Sequence, residues 1–263
     1  MKRITLTLIA LVSSSVAVAQ TEEIGALVTD RPDATESANT VRKGFLQIET
    51  GGFYTESEDN DLKTKEITYS TTLLRYGLLD NFELRLGLDY RNTEFESNGE
   101  RQGDDLNGTS PLLLGAKIGI AQEKGWMPKI ALLGHLTLPF TAGSDYIPEN
   151  TGIDFRFAFD HTLSDRSGIA YNVGAKLSPE NPELAYIYTI SYGYDLFDKV
   201  GFYAELYGDF PEDSKANHLW DAGLTYLAND DLQFDITVGT GITSDIQNIL
   251  LSAGLSYRIR NNK

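Results

Sequence analysis

The sequence predicts an all-β chain, a transmembrane antiparallel up-and-down β-barrel of outer-membrane type with about twelve strands. Three observations predict it. Stretch after stretch alternates apolar with polar residues at period two, the connections between stretches alternate short with long, and outward aromatics gather near the short connections. Period-two alternation puts successive side chains on opposite faces of a strand. A membrane barrel shows the apolar face to lipid and turns the polar face to a wet lumen.

The chain opens with Met1-Lys2-Arg3, an apolar run from Ile4 to Val12, and the small-x-small site Ala17-Val18-Ala19. This is the pattern of a secretory signal peptide over residues 1–19, with Gln20 as the mature N-terminus. Its apolar run is too short to span a bilayer. Residues 20–43 are polar and aperiodic and read as a periplasmic N-terminal arm, with Pro32 biasing Arg31 away from helix.

The barrel is expected over residues 44–260. Strand one (44–55) puts Leu46, Ile48 and Tyr54 outward and Gln47 and Glu49 inward. Strand two (66–78) is less regular, with Leu74 and Tyr76 out and Arg75 in. In strand three Phe82, Leu84, Leu86, Leu88 and Tyr90 oppose Glu83, Arg85, Gly87, Asp89 and Arg91, the cleanest alternation in the chain. Strands four (110–121), five (128–140) and six (153–163) place Lys117, then Lys129 and His135, then Arg156 and Asp160 inward. The remaining six, near 169–177, 186–196, 200–210, 220–226, 232–242 and 249–259, turn Lys176, Asp195, Glu205, Asp209, Asp221, Asp235 and Arg258 the same way.

Connections after even strands are short, as at 79–81 and 197–199, whereas those after odd strands are mostly longer, as at 56–65, 95–109 and 141–152. Short turns on one rim and longer loops on the other mark a barrel with both termini periplasmic. Tyr76, Phe82, Tyr194, Phe202, Tyr226, Phe234 and Tyr257 lie near the short-turn rim on the outward face, where a girdle at the lipid–water interface would sit.

The inward positions carry nine acids against eight bases, nearly neutral, although the whole chain has a formal charge of −16. Losing Lys2 and Arg3 with the leader makes the mature chain −18. The excess lies in the long loops, with fifteen acidic and four basic residues. That sign excludes a nucleic-acid partner. The chain has no Cys, and acid runs such as Glu58-Asp59-Asn60-Asp61 and Asp104-Asp105 lack the spaced ligands of a calcium loop, so neither metal nor cofactor is expected.

Twelve strands lie between barrels that side chains fill and barrels that leave an aqueous channel. Long paired charges lining the bore, Glu49, Arg75, Glu83, Arg85, Asp89, Arg91, Lys117, His135, Arg156, Asp160, Lys176, Glu205, Asp221, Asp235 and Arg258, predict a narrow or plugged lumen. The arm is the candidate plug. Its Asp30, Arg31, Asp33 and Glu36, with Pro32 between them, can pair with Arg75, Arg85, Lys117 or Arg156.

The run Thr29-Asp30-Arg31-Pro32-Asp33-Ala34-Thr35-Glu36-Ser37, soon before Gly44-Phe45-Leu46-Gln47-Ile48-Glu49-Thr50-Gly51, resembles the opening of the outer-membrane β-barrel "transporter" family named for a MetA pathway of phenol meta-cleavage. Leu73-Leu74-Arg75-Tyr76-Gly77-Leu78, and Asp105 ahead of Gly115-Ala116-Lys117, are similar to that family as well. The resemblance implies a Gram-negative outer-membrane barrel that passes small compounds, hydrophobic or aromatic ones among them. Ser252-x-Gly254-Leu255-x-Tyr257-x-Ile259 is similar to the C-terminal signal read by the barrel-insertion machinery, with Ile259 where an aromatic residue is usual. The expected partners are therefore outer-membrane lipid, that machinery and a small solute.

Two other readings remain at this point. A barrel lipase needs a Ser, a His and a third polar group in reach. The three histidines, His135, His161 and His218, are isolated, and His135 in Gly134-His135-Leu136-Thr137 lacks the Ser-Asn-Gly run such lipases carry. No catalytic residue is assigned, and the chain is expected not to be an enzyme. A purely structural barrel is the third reading.

Overall fold

A computed structural model describes residues 24–59, 61–180, 182–243 and 247–261. The leader at 1–19 lies outside the described residues. Alternation becomes wall in the order β1 (Leu46–Asp59), β2 (Leu62–Leu79), β3 (Phe82–Ser97), β4 (Glu100–Arg101), β5 (Leu106–Thr109), β6 (Leu112–Ala121) and β7 (Lys129–Leu138). It continues through β8 (Gly152–Ser164), β9 (Ser167–Leu177), β10 (Leu184–Phe197), β11 (Val200–Pro211), β12 (Asn217–Asn229), β13 (Leu232–Gly241) and β14 (Gln247–Ile259).

Twelve long strands pair antiparallel with their neighbours, and β1 closes the ring on β14, Leu46 facing Ile259 and Gly51 facing Gly254. Closure leaves no sheet edge, which a hydrocarbon core requires because no water is there to satisfy backbone groups. The two short strands both pair with β3. No described helix is long and apolar enough to cross a membrane, so any crossing is by strands.

The outward face is apolar and exposed at all levels: Leu84, Leu88, Tyr90, Phe155, Val173, Tyr192, Leu206, Ile236 and Leu251 among others. A soluble protein would bury these residues; exposed all around the ring, they suit lipid as a solvent. Tyr76, Tyr226, Phe234 and Tyr257 are exposed near the short turns, as a girdle requires.

The sequence misplaces two loops. Most of 56–65 is hairpin, with β1 reaching Asp59 and β2 starting at Leu62, and 95–109 contains the end of β3 and both short strands. Cross-strand ion pairs hold this extension: Lys63 lies 2.6 Å from Glu56 and Lys65 lies 2.7 Å from Glu96. Beyond the bilayer both strand faces are wet, so the apolar contrast that marks a strand disappears while the strand continues. The connection from β7 to β8 folds inward over the mouth. Its Tyr146 is buried, with its hydroxyl 2.9 Å from Thr93 and its ring 4.2 Å from the Arg91 guanidinium.

Candidate functional site

Residues 24–45 enter and leave at the short-turn rim. Leu27 N–H donates to the Asp230 carbonyl at 2.8 Å, and Gly44 N–H donates to the Gly77 carbonyl at 2.7 Å. Gly44 takes φ +78°, a left-handed turn that glycine makes without steric cost, and the chain then joins β1. Between these ends the arm makes an out-and-back excursion among the inward side chains, its neck closed by Ser37 N–H donating to Asp30 Oδ1 at 2.9 Å.

Asp30 is the centre of one cluster. Its Oδ2 lies 2.7 Å from Arg85, 2.8 Å from Lys117 and 3.1 Å from Arg75. Arg75, fully buried, also holds Glu49 at 2.8 Å and Glu83 at 3.0 Å, and its guanidinium donates to the Asn39 carbonyl. Glu49 in turn accepts the backbone N–H groups of Asp30 and Arg31, and Glu36 binds Arg85 through both oxygens. Burial alone would raise the Asp30 carboxyl, but the Arg75, Lys117 and Arg85 cations outweigh it and hold it well below the usual range.

That direction fixes a pH dependence. A depressed carboxyl stabilises the seated arm above its ordinary value of 3.8 and loses that contribution only as pH falls through the lower, folded value. Conductance of the refolded barrel is thus expected not to rise from neutral pH to below the ordinary aspartate range, and to rise only in stronger acid. An increase already complete at pH 5 would contradict it.

Arg31 goes to the opposite wall. Its Nη2 lies 2.9 Å from Asp235 and donates to Ser252 at 3.0 Å. The guanidinium lies flat on the paired glycines of β1 and β14, where a Cβ on Gly51 would sit 2.6 Å from Nη2 and one on Gly254 would also collide. Gly254→Leu is therefore expected to evict Arg31 and give more frequent open events in planar bilayers than the parent chain. Unchanged traces would show that this slot does not hold the arm.

Other inward residues meet the arm singly. Glu205 accepts the Ala34 N–H at 2.7 Å and the Thr35 hydroxyl, Asp160 accepts the Ala38 N–H at 3.0 Å, and Arg258 donates to the Gly25 carbonyl at 2.7 Å. Pro32 is buried within the excursion. Among the described residues Asp33 meets no cation, contrary to the sequence expectation; it stands beside Glu205, and burial first and that charge second push its carboxyl well above the usual range. The buried Asp221 is cross-strand from Glu205.

Asp89 and Arg91 lie higher, toward the long loops. Arg91 pairs with Glu66 at 3.4 Å, and Asp89 is half-buried opposite Thr71. His135, Arg156 and Lys176 line the long-loop side, with Asp154 2.9 Å from Arg156 and 3.7 Å from the His135 ring. His161 and His218 instead sit against Tyr171 and Tyr188 on other strands.

Uncharged contacts, which charge pairing does not reveal, also hold the arm. Asn172 grips both backbone groups of Glu36, accepting its N–H and donating to its carbonyl, each at 2.8 Å. Gln47 donates to the Val28 carbonyl and Gln233 to the Thr29 hydroxyl. Ala38 packs with Ala131, Leu133 and Ala158, so the arm has an apolar foothold that its polar sequence hides. Inward parity is the available signal for the wall residues among these, and Ala38 on the aperiodic arm carries none.

A family profile described as "Putative MetA-pathway of phenol degradation" matches residues 29–259, from the start of the excursion to the end of the last strand. The chain belongs to this family. No curated protein sequence matches it. Among solved structures it is similar to the COG4313 outer membrane channel from Pseudomonas putida F1, with TM-score 0.72 at 12% identity over 87% of this chain and 100% of that one. It is also similar to the KdgM porin in complex with disordered oligogalacturonate, with TM-score 0.54 at 12% identity over 82% and 99%. The translocator domain of the autotransporter NalP from Neisseria meningitidis gives TM-score 0.53 at 11% identity over 84% and 91%. At such identity these neighbours speak for the barrel fold.

Proposed function

We propose that this family member is an outer-membrane channel for small solutes, hydrophobic or aromatic compounds among them, and that residues 20–43 are its periplasmic plug. The observation that carries the reading is the placement of Asp30: an arm carboxylate shared by three cations from β2, β3 and β6 inside the ring. Supporting it are the lipid-suited outer face, the family's tie to phenol degradation and the channel and porin among the fold neighbours. The chain works without catalysis on this reading, residues 1–19 direct export and are removed, and the insertion machinery seats the barrel in lipid.

The test is single-channel conductance of the refolded mature chain beside the same chain lacking residues 21–40. A small conductance that grows on truncation supports the reading. A folded barrel silent in both forms would end it.

A further inference from the structure

Above the arm, on the long-loop side, three cavities of about 180, 260 and 430 Å³ share one lining residue, Lys176. Lys176 is cross-strand from Asp154 on β8 and from the small Ala185 on β10. It reaches over Ala185 to Asp209 on β11, ending 2.6 Å from Oδ2.

Its donors and acceptors decide what this vestibule can hold. Both Asp154 oxygens accept from Arg156. Asp209 is engaged at both oxygens, by Asn217 at 2.8 Å and by Lys176. Glu36, at the floor, is clasped by Arg85. Lys176 is different: an ammonium has three donors, and among the described residues it commits one, while its side chain remains 37% exposed. Arg156 adds an Nη1 whose contact is a long 3.3 Å bond to the Ala34 carbonyl. Glu183, on the rim of the largest of the three, accepts from the Ser214 N–H and hydroxyl, so the cavity has donors to spare and each of its carboxylates is already partnered. Facing these donors are Ile187, Tyr207 and Leu219, an apolar and aromatic wall.

We propose that this vestibule binds small aromatic carboxylates, the carboxylate on Lys176 and Arg156 and the ring against Ile187, Tyr207 and Leu219. The proposal rests on the channel reading and names its solute class. An anion gains charge-assisted hydrogen bonds here, whereas an organic cation meets carboxylates already engaged. The apolar wall favours a ring over a hydrated inorganic anion.

The experiment is calorimetric titration of the refolded mature chain in detergent with benzoate, and with benzylammonium and benzyl alcohol beside it, each variant first checked for the heat-modifiable migration of a folded barrel. Benzoate should bind saturably and the other two should not. Lys176→Gln should weaken benzoate about tenfold, as expected for one lost charge-assisted hydrogen bond. Asp209→Asn should tighten it, because it frees Lys176 from its competing anion. A pair that merely supports the wall would make both substitutions act in the same direction. Equal binding of benzoate and benzylammonium, an unchanged Lys176→Gln variant, or no benzoate binding would each overturn the proposal. Because the vestibule lies above the arm, this measurement needs no open channel; its failure leaves the truncation result standing, and a silent truncated barrel leaves the binding result standing.

Discussion

Removing residues 21–40 is expected to raise single-channel conductance by roughly an order of magnitude. Twelve strands about 4.8 Å apart and tilted about 40° close a ring about 24 Å across between backbones. The arm crosses that space twice, out from Leu27 and back to Gly44, and two extended segments with side chains occupy most of what the wall leaves. Without them Arg75, Arg85 and Lys117 face water with Glu49 and Glu83 alone, and water rather than peptide fills the lower half. A second variant guards against a truncation that alters the wall. The Thr35 and Thr189 hydroxyls are 2.8 Å apart, and the chain has no Cys, so Thr35→Cys with Thr189→Cys offers one disulfide tying arm to wall. The oxidised pair should conduct no more than the parent, and reduction should restore its behaviour. A tied arm that conducts like the truncated chain would mean the current never passed the arm.

The wall was more legible in the sequence than the arm, for a physical reason. A strand between lipid and water repeats the same choice every second residue, so β3 announces itself through Phe82 to Arg91 without any tertiary knowledge. The arm has no periodicity because each of its residues answers a different wall residue. Asp30 answers three cations, Arg31 a glycine slot and Asp235, and Ala38 a patch of Ala131, Leu133 and Ala158. Which acid meets which base depends on depth in the barrel, and depth depends on strand register. Asp33 is the case in point, since charge alone would have given it a cation and depth gives it Glu205. Where strands leave the bilayer the choice relaxes, so the outer end of the β1–β2 hairpin looks like loop in the sequence and is mostly strand in the structure.

Arg75→Gln is expected to lower the barrel's stability by about 3–5 kcal/mol, the usual cost of removing one partner from a buried ionic network. Arg75 touches three carboxylates, Asp30, Glu49 and Glu83, and donates to the arm carbonyls of Val28 and Asn39. Glutamine cannot neutralise any of them, and all three carboxylates are buried. The same substitution in the chain lacking residues 21–40 should cost less, because Asp30 and both carbonyls are gone and water reaches Glu49 and Glu83. The difference between the two costs is the coupling of wall to arm, of order 0.5–3 kcal/mol for residues in one network. Unfolding in urea, followed by loss of heat-modifiable migration, measures both. Equal costs in the two backgrounds would mean that Arg75 serves the wall alone and that the arm lies on a charge network already complete without it. A smaller cost in the truncated chain would mean the network was built around the arm, so that opening the lumen and loosening the barrel draw on the same ion pairs.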